Sequence, residues 1–192
     1  MTDWIVGWPT WEMIRTLGIT SYVLLCIGIC LGIAHSMPIF RGKTRANLYR
    51  LHTGATIGGT VIGLLHGAVT VIDAYLPYSW SGVLIPFAAG NRPFLSGLGT
   101  LAAYGLLIVI FTSDIRSKLG RRTWRLIHML SYPIWIMALL HGLLLGSDSG
   151  TAPIRVLYIV SAGAILSVTL LRIFMRPAGQ ASALRSKGHA GR

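Results

Sequence analysis

The chain has 192 residues, of which 53% are hydrophobic and only 11% charged, with a mean hydropathy of +0.65. Soluble domains carry about 25% charged residues, so this composition excludes a soluble globular protein. The net charge of +12 does not read as a nucleic-acid interface, because it is gathered into short segments between long apolar runs.

Windows of about 19 residues give five apolar spans, at residues 16–34, 51–74, 95–112, 126–146 and 156–174. Each has roughly the ~20 residues that cross ~30 Å of hydrocarbon as helix. Ahead of the first span, "MTDWIVGWPTWEMIR" lacks the basic stretch of a cleaved signal peptide. Its Trp4, Trp8 and Trp11 repeat at i, i+4 and i+7, which suits an interfacial anchor. Cys26 and Cys30 lie one turn apart in the first span and read as small apolar residues rather than metal ligands. His35 closes that span at the membrane surface.

The second span contains His52 and His66 together with Gly54, Gly58, Gly59 and Gly63. These glycines either clear room for a flat ligand or let helices approach closely, as in the Gly54/Gly58 and Gly59/Gly63 spacings. The connection "YLPYSWSGVLIPFAAGNRPF", residues 75–94, is rich in proline, glycine and aromatics, and is expected to form an ordered cap at the membrane surface. The fourth span contains His128, Pro133 and His141. The closing segment, residues 175–192, is polar, basic and expected to be disordered.

Three segments on one side of this five-span chain hold 14 of the 17 lysines and arginines. By the positive-inside rule that side is cytoplasmic, with the N-terminus outside and the C-terminus inside. The expected fold is therefore an all-α integral membrane bundle of about five transmembrane helices (residues 1–174) followed by a basic tail, multi-pass in the cytoplasmic membrane. A flavin or nicotinamide domain would need well over a hundred further residues, and no FAD or NADPH site is expected here.

The strongest signal is matched depth. His52 and His128 are the second and third residues of their spans, and His66 and His141 are both the sixteenth. The second and fourth spans run in the same direction, so they offer one histidine pair near each face, with the levels ~20 Å apart. Facing neutral imidazoles suit an iron porphyrin, each giving one axial nitrogen and leaving no open position, which favours electron transfer. Helical angles are less kind. Fourteen residues bring His66 back within about 40° of His52, whereas thirteen leave His141 about 140° from His128 on a straight helix. Pro133 lies between the latter two and is the feature able to kink or rewind that helix.

Other chemistries fit less well. Zinc sites want three or four clustered ligands, and there is no H-E-x-x-H. A Ser-His-Asp triad lacks its G-x-S-x-G. Arg50 and Arg125 lie near the inner level, where they either pair with haem propionates or only anchor the topology. Arg92 is the main candidate for an anionic group at the outer level.

The stretches "HTGATIGGTVIGLLH" and "HMLSYPIWIMALLH" are H-x13-H and H-x12-H, two spans apart. This doublet resembles the ferric reductase-like transmembrane family. That family includes the membrane part of NADPH oxidases and ferric reductases, and the haem-binding membrane subunit of bacterial methionine sulfoxide reductase systems. "RRTWRLIHMLSYPIWIMALLHGLLLGSD" is similar to bacterial members, and the likeness covers residues 18–174.

The resemblance implies two b-type haems, with His52 paired with His128 at the inner one and His66 with His141 at the outer one. Electrons would enter inside and leave outside. Many members have six helices and a C-terminal flavin and nicotinamide module. Here five spans are read, and the donor is expected to be a separate flavoprotein or a quinol. The acceptor outside is a ferric chelate, oxygen or a partner enzyme. Two alternatives stand beside the dihaem reading: a single-haem subunit of a two-component reductase, and a non-redox transporter or scaffold using histidines as a proton relay.

Overall fold

The computed structural model describes residues 9–175. Trp4, Trp8, His189 and all of the basic tail beyond Met175 lie outside the described residues. The first long helix, α1 (Thr10–His35), stops three residues before Pro38, which cannot continue it. It turns back into α2 (Gly42–Val69), which ends five residues earlier than the second apolar run. A short helix α3 (Trp80–Leu84) follows, and then α4 (Pro93–Asp114), which opens on proline, a residue pre-set for a first helical turn.

The fourth apolar run is not one helix. It forms α5 (Arg121–Met129) and α6 (Ser131–Leu145), interrupted at Leu130. Pro133 has no N–H to offer the carbonyl of Met129. The chain tightens there, with the Leu130 N–H bonding the Ile127 carbonyl at 3.0 Å. After a 3₁₀ turn (Ser147–Gly150), α7 (Ala152–Phe174) ends the described chain.

The protein is an all-helical, multi-pass membrane bundle. Four of its helical stretches are long and apolar enough to cross a membrane: α1, α4, the α5–α6 pair and α7. The second expected span differs. At 28 residues α2 is long enough, about 42 Å, but its glycines, threonines and histidines dilute its apolar character. Those polar groups find partners inside the protein. Thr56 Oγ1 donates to the His52 carbonyl and Thr60 Oγ1 to the Thr56 carbonyl, both at 2.8 Å. Each therefore satisfies a hydroxyl that lipid could not.

Helix α2 packs chiefly along α1, and α6 chiefly along α4. The α1–α2 contact rests on two of the four glycines singled out in α2. A Cβ on Gly59 would lie 3.1 Å from Leu25 Cγ, and one on Gly63 would lie 2.8 Å from Ser21 Oγ. The Ser21 hydroxyl donates to the Gly59 carbonyl at 2.7 Å. Gly54 faces open space, and a Cβ on Gly58 would meet only Leu24, at 4.0 Å. Gly59 and Gly63 thus serve close packing against α1, while Gly54 is exposed. Gly59→Val should lower bundle stability by about 1–3 kcal/mol through overpacking, measured by equilibrium unfolding in detergent.

Two small cores hold the halves together. Tyr22, Cys26, Tyr158 and Ile165 join α1 to α7, with Trp135 of α6 donating to Cys26 Sγ at 3.2 Å. Ala102, Val109 and Ile134 join α4 to α6. No large side chain among the described residues is fully buried, as expected of a bundle whose interior is not filled by its own side chains. The 75–94 connection contains α3. It docks on α4 through Thr100 Oγ1 to the Val83 carbonyl (2.9 Å) and Tyr104 OH to the Leu84 carbonyl (2.6 Å).

Candidate functional site

The gap between α2 and the α5–α6 pair is bridged by four imidazoles. His52 faces His128 with ring centroids 6.2 Å apart and planes at 73°. His66 faces His141, also at 6.2 Å, with planes at 86°. The levels are fourteen residues apart along α2, about 21 Å. Leu130, between His128 and His141, keeps right-handed helical dihedrals (φ −62°, ψ −14°), and the thirteen-residue spacing still yields a second pair of the same width.

Each ring is held by a neighbouring helix. Nδ1 of His66 bonds the Ile14 carbonyl at 2.9 Å, Nδ1 of His52 the Gly28 carbonyl at 2.7 Å, and Nδ1 of His141 the Leu95 carbonyl at 2.8 Å. A carbonyl can only accept, so Nδ1 carries the proton and Nε2 of the neutral ring keeps its lone pair. In each case the residue four positions after the accepting carbonyl is a glycine. A Cβ on Gly18, Gly32 or Gly99 would lie 3.1, 2.9 or 2.7 Å from the ring of His66, His52 or His141. In a helix the carbonyl at i lies beside residue i+4, and a missing side chain there lets an imidazole reach it.

The fourth ring is fixed differently. His128 stacks on Trp124, centroids 5.1 Å apart and planes at 25°. Its Nδ1 lies 3.4 Å from Ser113 Oγ near the end of α4.

The His66/His141 level opens into a cavity of ≈ 380 Å³ whose lining includes Gly18, Gly63, Gly99 and Tyr158, a size typical of ligand pockets. Arg15 is the basic residue in that lining, held by Asp148 at 2.6 Å. Arg92 does not line it. Its guanidinium donates to the Leu144 carbonyl at 2.9 Å and caps α6, and its backbone is left-handed with φ 42°.

Arg50 in α2 and Arg125 in α5 shortly precede His52 and His128, exposed and without a hydrogen-bond partner among the described residues. His35 bonds the Arg45 carbonyl at 3.0 Å and packs on Tyr49.

The profile described as "Ferric reductase like transmembrane component" matches residues 17–139. The chain belongs to the ferric reductase-like transmembrane family. No curated protein and no solved structure matches it. The matched segment of this ferric reductase-like protein contains His52, His66 and His128 and stops two residues short of His141.

The donor set of the ferric reductase-like bundle fits an iron macrocycle. A metal–imidazole bond of about 2 Å on each side, with about 1.1 Å from nitrogen to ring centre, spaces two centroids about 6 Å apart. Both pairs have this width. Among the described residues no group of three or more His, Cys, Asp or Glu could hold a metal. Each pair presents two facing imidazoles, a donor set that would suit an iron held in a planar tetradentate ring. Carbonyl anchors of this kind are the outer-shell partners that orient histidines where they ligate a metal.

Sequence reasoning found all four rings but missed what anchors them. The signal was present: Gly18 and Gly32 are fourteen apart, the same spacing as His52 and His66 on the antiparallel neighbour.

Proposed function

We propose that this ferric reductase-like protein is a b-type dihaem cytochrome that carries electrons across the cytoplasmic membrane, from a flavoprotein or quinol donor to an acceptor outside. The observation that carries this reading is the pair of opposed imidazole couples of equal width, stacked at two levels of one bundle. The basic end, with Arg41, Lys43, Arg45, Arg116 and Lys118, is the cytoplasmic one by the positive-inside rule. The acceptor is a ferric chelate, oxygen or an external enzyme.

His52 and His128 hold the inner haem, and His66 and His141 the outer. Haem b, when bound, supplies the one-electron iron couple. The chain's own part is to fix two imidazoles per level through Nδ1, to exclude water and a third ligand, and to neutralise carboxylates at the rim. Arg50 and Arg125 do this at the inner level, and Arg15 at the outer one. No proton-transfer or nucleophilic residue is required.

A single-haem reading has one observation in its favour: only the His66/His141 pair lines the cavity. The two are separated by a reduced-minus-oxidised absorption spectrum of detergent-purified protein with a pyridine haemochrome assay. About two low-spin haems b per chain are expected. One haem would support the subunit reading. Absence of a Soret band after haem-replete expression would overturn both and favour the proton-relay alternative.

A further inference from the structure

The four histidine anchors form a repeat, and Ser113 breaks it. On α1 the accepting carbonyls belong to Ile14 and Gly28, fourteen residues apart, each followed four residues later by a glycine, Gly18 or Gly32. On α4 the carbonyl serving His141 belongs to Leu95, followed by Gly99. Fourteen residues beyond Leu95 and Gly99 stand Val109 and Ser113, opposite His128. The fourth site therefore has the carbonyl but not the glycine.

Ser113 Oγ donates to the Val109 carbonyl at 2.7 Å. It also lies 3.4 Å from His128 Nδ1 and 3.4 Å from Trp124 Nε1. A hydroxyl has one proton to give and two lone pairs. With its proton on Val109, Ser113 accepts from both the imidazole and the indole, and its capacity is filled.

We infer that Ser113 is a positioning residue that relays the Val109 carbonyl to His128. It does at one remove what a glycine permits directly at the other three rings. The inference rests on His128 being a haem ligand, and it concerns this chain's control over that ligand. Trp124 completes the clamp by covering one face of the imidazole. An Nδ1–H bonded to an acceptor makes the imidazole a stronger donor and favours ferric over ferrous iron.

The test is a potentiometric titration of purified protein, reading each haem separately, with S113A, S113T and S113G. In S113A the His128 Nδ1–H loses its acceptor. One haem should then shift roughly tenfold toward the reduced form, an upward change of about 59 mV for a one-electron couple, while the other is unmoved. S113T keeps the hydroxyl and should titrate like the parent. S113G opens the Val109 carbonyl, completes the fourfold pattern and should return the potential toward the parent value.

An S113A protein with both haems bound and both potentials unchanged would overturn the relay, as would a shift of equal size in S113T. If S113A loses one haem, retention of that haem in S113T and S113G supports the relay, and equal loss in S113T overturns it. Parent protein without haem would instead be a failure of the dihaem reading.

Discussion

On the proposed dihaem reading, replacing His66 with glycine should halve the haem content of the protein and leave the remaining haem low-spin. Nδ1 of His66 is tied to the Ile14 carbonyl and its ring stands 6.2 Å from that of His141, so no neighbouring side chain is placed to substitute for it. Electron transfer across the bilayer should fall by more than about 100-fold, since loss of an outer-shell partner alone reaches 10–100-fold. The surviving level would also be left about 21 Å from the vacated one. Added imidazole should restore the second haem by filling the space the side chain left. That rescue separates a ligand from a packing residue. A His66→Gly protein that keeps both haems and full transfer rules out the assignment.

Gly99→Ala should produce a related loss without touching any ligand. A Cβ there would lie 2.7 Å from Cε1 and 2.8 Å from Nδ1 of His141, closer than van der Waals contact allows, so the ring must move. In the haem-free protein it can swing aside, and the fold should survive. With iron bound at Nε2 the ring is pinned, and its bond to the Leu95 carbonyl is strained or lost. Haem affinity at that level should fall by roughly 10–100-fold, the range typical of outer-shell losses. Thermal unfolding of the apoprotein should change little. Gly163→Ala, where an added Cβ meets nothing within 4 Å, is the matched control. Equal haem retention in the two variants would refute the steric account of Gly99.

Much of this was legible in the chain itself. Apolar runs of about the length of a bilayer located the long helices. The positions of His52, His66, His128 and His141 within their runs put them at two depths, because helical rise converts residue number directly into height. Rotation is less forgiving. Whether two histidines share a face depends on every dihedral between them, a sum that residue number alone does not give. The apolar character of α2 was overestimated for a related reason. Its threonines and histidines are satisfied by its own carbonyls and by α1, partners that a hydropathy average cannot see.

The glycines show the division most clearly. The sequence drew attention to Gly54, Gly58, Gly59 and Gly63 because they lie on the histidine helix. The glycines that admit the rings are Gly18, Gly32 and Gly99, on the helices opposite. Arg92 was similarly chosen for its place in the chain, whereas Arg15 lines the cavity and Arg92 caps α6.

What the sequence determined by itself is the membrane bundle and the two histidine levels, which follow from the period and length of local patterns, and the family, which its H-x13-H and H-x12-H stretches resemble. The tertiary structure decided which side chain faces which, the 6.2 Å width of both pairs, the carbonyl behind each of three rings and the serine behind the fourth. Those relations join residues on different helices, and no local pattern encodes the rotation of one helix against another. That rotation is set by close packing of whole faces, here of α1 on α2 through Gly59 and Gly63.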